Sequence, residues 1–282
     1  MNYRHAFHAG NFADVMKHAL LVRILAYLQR KETPLRVIDT HAGIGLYDLT
    51  SDEAGRTGEW VDGIGRLDEA FSPEVEEILA PYRAVVADVR ARHGKTAYPG
   101  SPAILRELLR RQDRGVFVEL HPADHAVLSE AFNEVTNLKV MHLDGWTALH
   151  ALIPPKEKRG LVLIDPPYEE PNELVRLGTE LLAALRKWPT GVYAGWYPIK
   201  DVAPVDAVVA RLDEESPRPG LRLELYVDDP RDATRLNGSG LFVLNPPWSL
   251  KEEAEALLPA LAERLSRGGY GAYRCEAFGP PA

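Results

Sequence analysis

Four residues, Asp165-Pro166-Pro167-Tyr168, follow the apolar run GLVLI at 160–164. An acid in that place stands where open α/β sheets put their ligand crevice. The set suits one task, gripping the amino group of a nucleobase. The lone pair of such a nitrogen is delocalised into the ring, so the nitrogen is a poor nucleophile. Two acceptors, the Asp165 carboxylate and a Pro166 carbonyl on a stiff backbone, can hold both hydrogens and draw it towards tetrahedral geometry. Tyr168 would then stack on a base taken out of its helix. Read structurally, the same residues are a turn with a helix-capping acid. A second copy, Asn245-Pro246-Pro247-Trp248, closes a run expected to be antiparallel, which sends it to the far edge of the sheet. It is taken as structural, with Ser249 as the cap of a helix over 250–265.

Further acids end other apolar runs. Glu119 is placed to accept from a ribose diol, and Asp144-Gly145 to meet an adenine amino group while glycine leaves room for the ring. The turn Asp39-Thr40-His41-Ala42-Gly43-Ile44-Gly45 lets a ligand approach the backbone, but Asp48 stands where a dinucleotide fingerprint needs glycine or alanine. Ser101-Pro102 reads as an N-cap followed by a first-turn proline, with a hydroxyl still able to reach a ligand. His5, His8, His18 and His41 invite a metal reading, yet HExxH and paired cysteines are absent, so no metal is expected.

Holding these residues together requires strands that end side by side. The runs LRVID (35–39), GVFVEL (115–120), LKVMHLDG (138–145), GLVLIDPPY (160–168) and GVYAGWYP (191–198) are separated by helix-length segments, including 102–112, 122–135 and 172–187. That alternation predicts a parallel sheet with crossover helices. LRLELYV (221–227) and GLFVLN (240–245), joined through Asn237-Gly238, predict an antiparallel hairpin. Residues 12–30 predict a helix with one buried stripe through Val15, Ala19, Val22, Ile24, Leu25 and Leu28. The chain between Gly45 and Gly115 is too long for one turn and one helix. Residues 48–95, with 11 acidic and 6 basic side chains, therefore predict an inserted helical subdomain in a domain built from 1–47 and 96–282.

The 282 residues, 45% hydrophobic and 26% charged, exclude a disordered chain, a collagen and a coiled-coil rod. Against 41 acids stand 33 Lys and Arg; the net charge of −8 excludes nucleic-acid binding by bulk charge. A local contact stays open, because residues 1–36 carry a +4 excess, with Arg4 and Lys17 expected on phosphates. The lone Cys275, the polar start and the lack of a long apolar run predict a soluble cytoplasmic protein.

Several runs together resemble the RlmJ family over nearly the whole chain. They are Tyr3-Arg4-His5-Ala6-Phe7-His8-Ala9-Gly10-Asn11-Phe12-Ala13-Asp14-Val15 with Lys17-His18, then Asp39-Thr40-His41-Ala42-Gly43, Tyr98-Pro99-Gly100-Ser101-Pro102, Glu119-Leu120-His121-Pro122, Asp144-Gly145 and the Asp165 tetrapeptide. The family comprises bacterial S-adenosyl-L-methionine-dependent adenine-N6 methyltransferases of large-subunit ribosomal RNA. The resemblance implies a Rossmann-like α/β methyltransferase sheet, mostly parallel with a C-terminal antiparallel strand, plus a small helical insertion. It also implies S-adenosyl-L-methionine as cofactor and 23S rRNA as partner, with one adenine as target (2030 in that RNA's numbering) and a monomer. By motif match, His18, His41, Ser101, Glu119, Asp144, Gly145 and Asp165 would line the cofactor site. Asp165 would also be the catalytic acceptor, with Tyr3, Pro166 and Tyr168 on the substrate side. The alternatives are a guanine-N2 methyltransferase, since the same acceptors fit that amino group, and a non-catalytic RNA-binding module.

Overall fold

Successive side chains of a strand point to opposite faces, and here both faces are covered. The computed structural model describes residues 4–232 and 234–281. Its strands are β1 (Arg36–Asp39), β2 (Leu46–Asp48), β3 (Ala97–Pro99), β4 (Arg114–Glu119), β5 (Leu138–His142), β6 (Gly160–Ile164), β7 (Gly191–Ile199), β8 (Gly220–Tyr226), β9 (Gly238–Leu244) and β10 (Ala272–Phe278). The helices are α1 (Phe12–Leu28), α2 (Asp52–Thr57), α3 (Pro73–His93), α4 (Ser101–Leu108), α5 (Pro122–Phe132), α6 (Gly145–Leu152), α7 (Glu173–Lys187), α8 (Val202–Glu215) and α9 (Leu250–Leu265). Val37, Leu161, Leu163, Leu223 and Val243 enter a core shared with α1, α3 and α9. Their neighbours Ile38, Val162, Ile164 and Phe242 enter a second core with α6, α7 and α8. Burial on both faces is why these strands read as continuous apolar runs.

The main sheet has the order β10-β8-β9-β7-β6-β1-β4-β5. β5, β4, β1, β6 and β7 are parallel, as the alternation predicted. β9 lies antiparallel to both β7 and β8, so the expected hairpin forms. The edge strand β10, antiparallel to β8, has no counterpart in the sequence reading, nor does α8. The chain leaves β1 towards β4 on one side and returns to β6 on the other, which puts the topological switch at the end of β1.

Two expectations need correction. α1 does not present one stripe: among its residues only Arg23, Ala26 and Tyr27 escape burial. α3, α4 and α9 pack around it, so its polar Asp14, Lys17 and His18 are buried as well. Ser249 occupies the N-cap position of α9 but makes no capping hydrogen bond, and its hydroxyl is buried without a partner. β2 and β3 pair antiparallel and bring together the two ends of the segment 48–95, whose α3 packs against α1 and α9. Among the described residues, no helix is long and apolar enough to cross a membrane.

Candidate active site

Where β1, β4 and β6 end around the switch point, a cavity of about 300 Å³ opens. His18, His41, Ser101, Glu119, Asp144, Gly145 and Asp165 all line it. Pro166 and Tyr168 do not, and Tyr3 lies outside the described residues. Glu119 ends β4; its Oε2 accepts from the Gly43 amide at 2.8 Å and its Oε1 from the His121 amide at 2.7 Å. This carboxylate therefore shapes the glycine turn as well as facing the cavity, and Gly43 there has φ +64°. Asp144 caps α6, accepting from the Thr147 amide and hydroxyl, each at 2.8 Å. At Gly145 a Cβ would run into the Thr40 carbonyl and the His41 ring, so only glycine keeps this wall open. Ser101 is not the N-cap its sequence suggested. Gly100 holds that position, and the Ser101 hydroxyl donates to Asp39 Oδ2 at 2.6 Å.

The Asp165 carboxylate, with a side chain 14% exposed, meets the ammonium of Lys17 at 2.5 Å. Lys17 is 4% exposed and also pairs with Asp14 at 2.9 Å. Residues i, i+3 and i+4 of a helix share a face, and Asp14, Lys17 and His18 have that spacing on α1. The start of the helix is fixed by Asn11 Oδ1 accepting from the Asp14 amide, while Asp14 Oδ2 accepts from the Gly10 amide and pairs with His5 Nε2 at 2.9 Å. Sequence reading sent Lys17 to phosphates. Packing instead buries it among carboxylates, because a buried ammonium is tolerable only when paired. Burial works against its charge, but Asp14 and Asp165 outweigh burial and hold Lys17 above the ordinary lysine range. Asp14 is likewise held well below the carboxylate range, against burial, by His5 and Lys17.

Two buried histidines of the wall, His18 and His41, are neutral. Burial pushes His18 down to about 3, with Asp14 opposing, and pushes His41 down to about 4, with Asp165 and Asp144 opposing. His18 Nδ1 lies 3.0 Å from the Tyr98 hydroxyl and His41 Nδ1 2.8 Å from that of Thr40. Burial raises Asp39 to about 7 despite its bond from Ser101. Several lining groups escaped the sequence reading, two of them on the first turn of α7: Glu173, whose Oε2 is buried without a partner, and Arg176, whose guanidinium lies 4.7 Å from the Trp146 ring centroid. Their signal was position, an acid and an arginine three apart directly after the Asp165 loop.

Tyr168 turns inward. Its hydroxyl donates to the Trp196 carbonyl at 2.7 Å, its ring meets the Trp196 ring edge-on at 5.6 Å, and its φ is +54°. A bulky residue at positive φ is strained, and these two contacts brace it. The Asn245 copy lies on the other rim as expected, its amide donating to the Gly191 carbonyl at 3.0 Å where β7 begins. Among the described residues, no group of three or more His, Cys, Asp and Glu is arranged to hold a metal ion. Arg4, the other expected phosphate contact, pairs with Glu53 at 3.5 Å and Asp124 at 3.4 Å.

Residues 32–277 match a family model described as "Ribosomal RNA large subunit methyltransferase D, RlmJ". The chain is 38% identical over 282 residues to the Ribosomal RNA large subunit methyltransferase J of Haemophilus influenzae, covering 99% of each chain. It is 38% identical over 271 residues to the protein of the same name from Escherichia coli K12, covering 96% of each. The crystal structure of protein LPL1258 from Legionella pneumophila superposes with a TM-score of 0.85 at 33% identity, covering 96% of this chain and 98% of that one. The N-terminal helix that supplies Lys17 precedes the family-model match but falls within the end-to-end matches to the relatives. With sequence agreement along nearly its whole length, this chain belongs to the RlmJ family of large-subunit ribosomal RNA methyltransferases.

Proposed function

We propose that this protein transfers a methyl group from S-adenosyl-L-methionine to the exocyclic N6 of one adenine in 23S rRNA, position 2030 in the numbering of that RNA. One observation carries the reading: Asp165 borders, at the switch point, the same cavity as Glu119 and Asp144. The walls suit the cofactor. Glu119 retains acceptor capacity for a ribose diol, Asp144 Oδ2 is open to an adenine amino group, and Gly145 leaves space for the ring. His18 and His41, both neutral near pH 7, put no like charge against a sulfonium. When bound, the cofactor supplies an electrophilic methyl group.

The protein's part is orientation. Lys17 holds the Asp165 carboxylate in place through Oδ2, leaving Oδ1 to accept one amino hydrogen while the Pro166 carbonyl accepts the other. Held in line with the methyl group, the nitrogen lone pair is aimed at its target, and positioning with preorganised acceptors provides the rate. In this reading residues 1–47 and 96–282 form the catalytic domain, 48–95 is its helical insertion, and the enzyme works as a cytoplasmic monomer. Nucleoside mass spectrometry of 23S rRNA from cells with and without the protein tests the assignment. The expected change is loss of N6-methyladenosine at one site; loss of N2-methylguanosine instead would move the target to guanine, and an unchanged profile would refute both.

A further inference from the structure

We propose that the rim opposite the cavity is a second RNA-contact surface, in which exposed Trp248 stacks an unpaired base and a surrounding group of free cations holds the adjoining phosphates. This goes beyond the catalytic reading but rests on RNA being the substrate.

Behind the N-terminal ends of the parallel strands, a hollow of about 500 Å³ is lined by Tyr27, Arg30, Lys31, Arg159 and Trp248. A second, of about 590 Å³, shares Arg159 and adds Arg114, Lys156 and Lys158. These six cations are concentrated on one rim of a chain whose net charge is −8. Among the described residues none of the six lies within ion-pair distance of a carboxylate. The acid lining the second hollow, Glu157, is spent on Arg36 at 3.0 Å. Most of the molecule's other arginines are neutralised, so a free cluster stands apart. Two of its guanidiniums are preset: Arg159 donates to the Leu28 carbonyl at 2.9 Å, and Arg114 to the carbonyls of Arg111 and Asp113, each at 2.9 Å. Arg30 lies 5.2 Å from the Tyr27 ring centroid.

Trp248 is 72% exposed and meets no other ring among the described residues. Leaving so large an apolar ring in water is unfavourable. The loop nevertheless holds it out rigidly, with two prolines before it and the Asn245 amide tied to the Gly191 carbonyl. A stiff aromatic flanked by unpaired cations is the pattern that binds single-stranded nucleic acid: the ring takes a base of any identity and the cations take phosphates. The five residues of β6 separate this rim from the cavity by about 17 Å, a span within reach of RNA flanking a target base.

The test compares two RNAs, a short hairpin carrying the target adenine and a 23S fragment extended on both sides, by fluorescence anisotropy and by methylation rate. The triple variant Arg30→Gln, Lys31→Gln, Lys158→Gln should bind the extended RNA about tenfold more weakly, with a salt slope lower by about 2. Trp248→Ala should weaken it about tenfold with the salt slope kept. Both variants should methylate the hairpin as the parent does. Parental affinity and salt slope on the extended RNA would overturn the proposal. So would a defect confined to ribosomal particles and absent with naked RNA, which would assign the surface to a protein partner. Binding is read apart from turnover, so a parent protein that methylates neither RNA would refute the catalytic reading while the affinity differences still judge this surface.

Discussion

Two loops of nearly the same composition end strands on opposite rims of one sheet, and they do different work. In the Asp165 loop the leading residue is a carboxylate held by Lys17 from α1, and the aromatic residue turns inward onto Trp196. In the Asn245 loop the leading amide is spent on the Gly191 carbonyl, and the aromatic residue stands in water. Strand direction separates them: β6 runs towards the switch point, whereas β9 is antiparallel to its neighbour β7. A short motif therefore acquires its chemistry from the strand that carries it and from what meets it there.

The sharpest way to break this comparison is to truncate both leading residues. Asp165→Ala should lower kcat by about 10³-fold or more while the fold persists, because Asp14 still pairs the buried Lys17. Asn245→Ala should leave kcat unaltered and cost about 1–2 kcal/mol of stability, because it loses a hydrogen bond and puts alanine at φ +54°. Steady-state methylation and thermal denaturation read both. If Asn245→Ala proved the slower enzyme, the roles assigned to the two rims would be reversed.

Lys17 sharpens the contrast, since nothing comparable meets Asn245. Lys17→Met leaves Asp14 and Asp165 without their shared cation and should cost about 3 kcal/mol in denaturant unfolding. The freed Asp165 side chain should also lower kcat by about 10²-fold. A variant with normal turnover would show that the pair only stabilises the fold.

How much of this was legible beforehand follows from the physics of each element. The parallel strands were readable because burial on both faces writes them as apolar runs, and the hairpin because its connection lacks a helix. β10 was not, since its alternating, half-exposed AYRCEAF lies at an edge with a weaker pattern. The acids at strand ends were readable by position, and the cavity gathers Glu119, Asp144 and Asp165. The partner of Asp165 lies 148 residues away in sequence, a distance that no local spacing encodes. Asp14, Lys17 and His18 share one face of α1, but their burial comes from α3, α4 and α9 packing around that helix.

Asp39 provides a test through pH. Its folded value of about 7 lies above the ordinary 3.8, so between these pH values the folded state keeps a proton that the unfolded chain has released. Its contribution to stability is full below about pH 4 and is lost as pH rises through about 7. Asp39→Asn, with the Ser101 hydroxyl turned to accept, should therefore be more stable than the parent at pH 8 by about 4 kcal/mol. The gap should close towards pH 4; a constant gap would contradict the raised value. The smallest effect is expected for Tyr168→Phe, which loses the bond to the Trp196 carbonyl and about 1 kcal/mol of stability, with kcat within a few-fold of the parent.

A crystal structure of the protein with S-adenosylhomocysteine and adenosine monophosphate puts the catalytic geometry to the most direct test. The nucleotide's amino nitrogen should lie within hydrogen-bond distance of both the Asp165 carboxylate and the Pro166 carbonyl, facing the sulfur across the gap a methyl group would fill. An amino group directed away from residue 165, or an Asp165 with both oxygens turned onto Lys17, would contradict the mechanism.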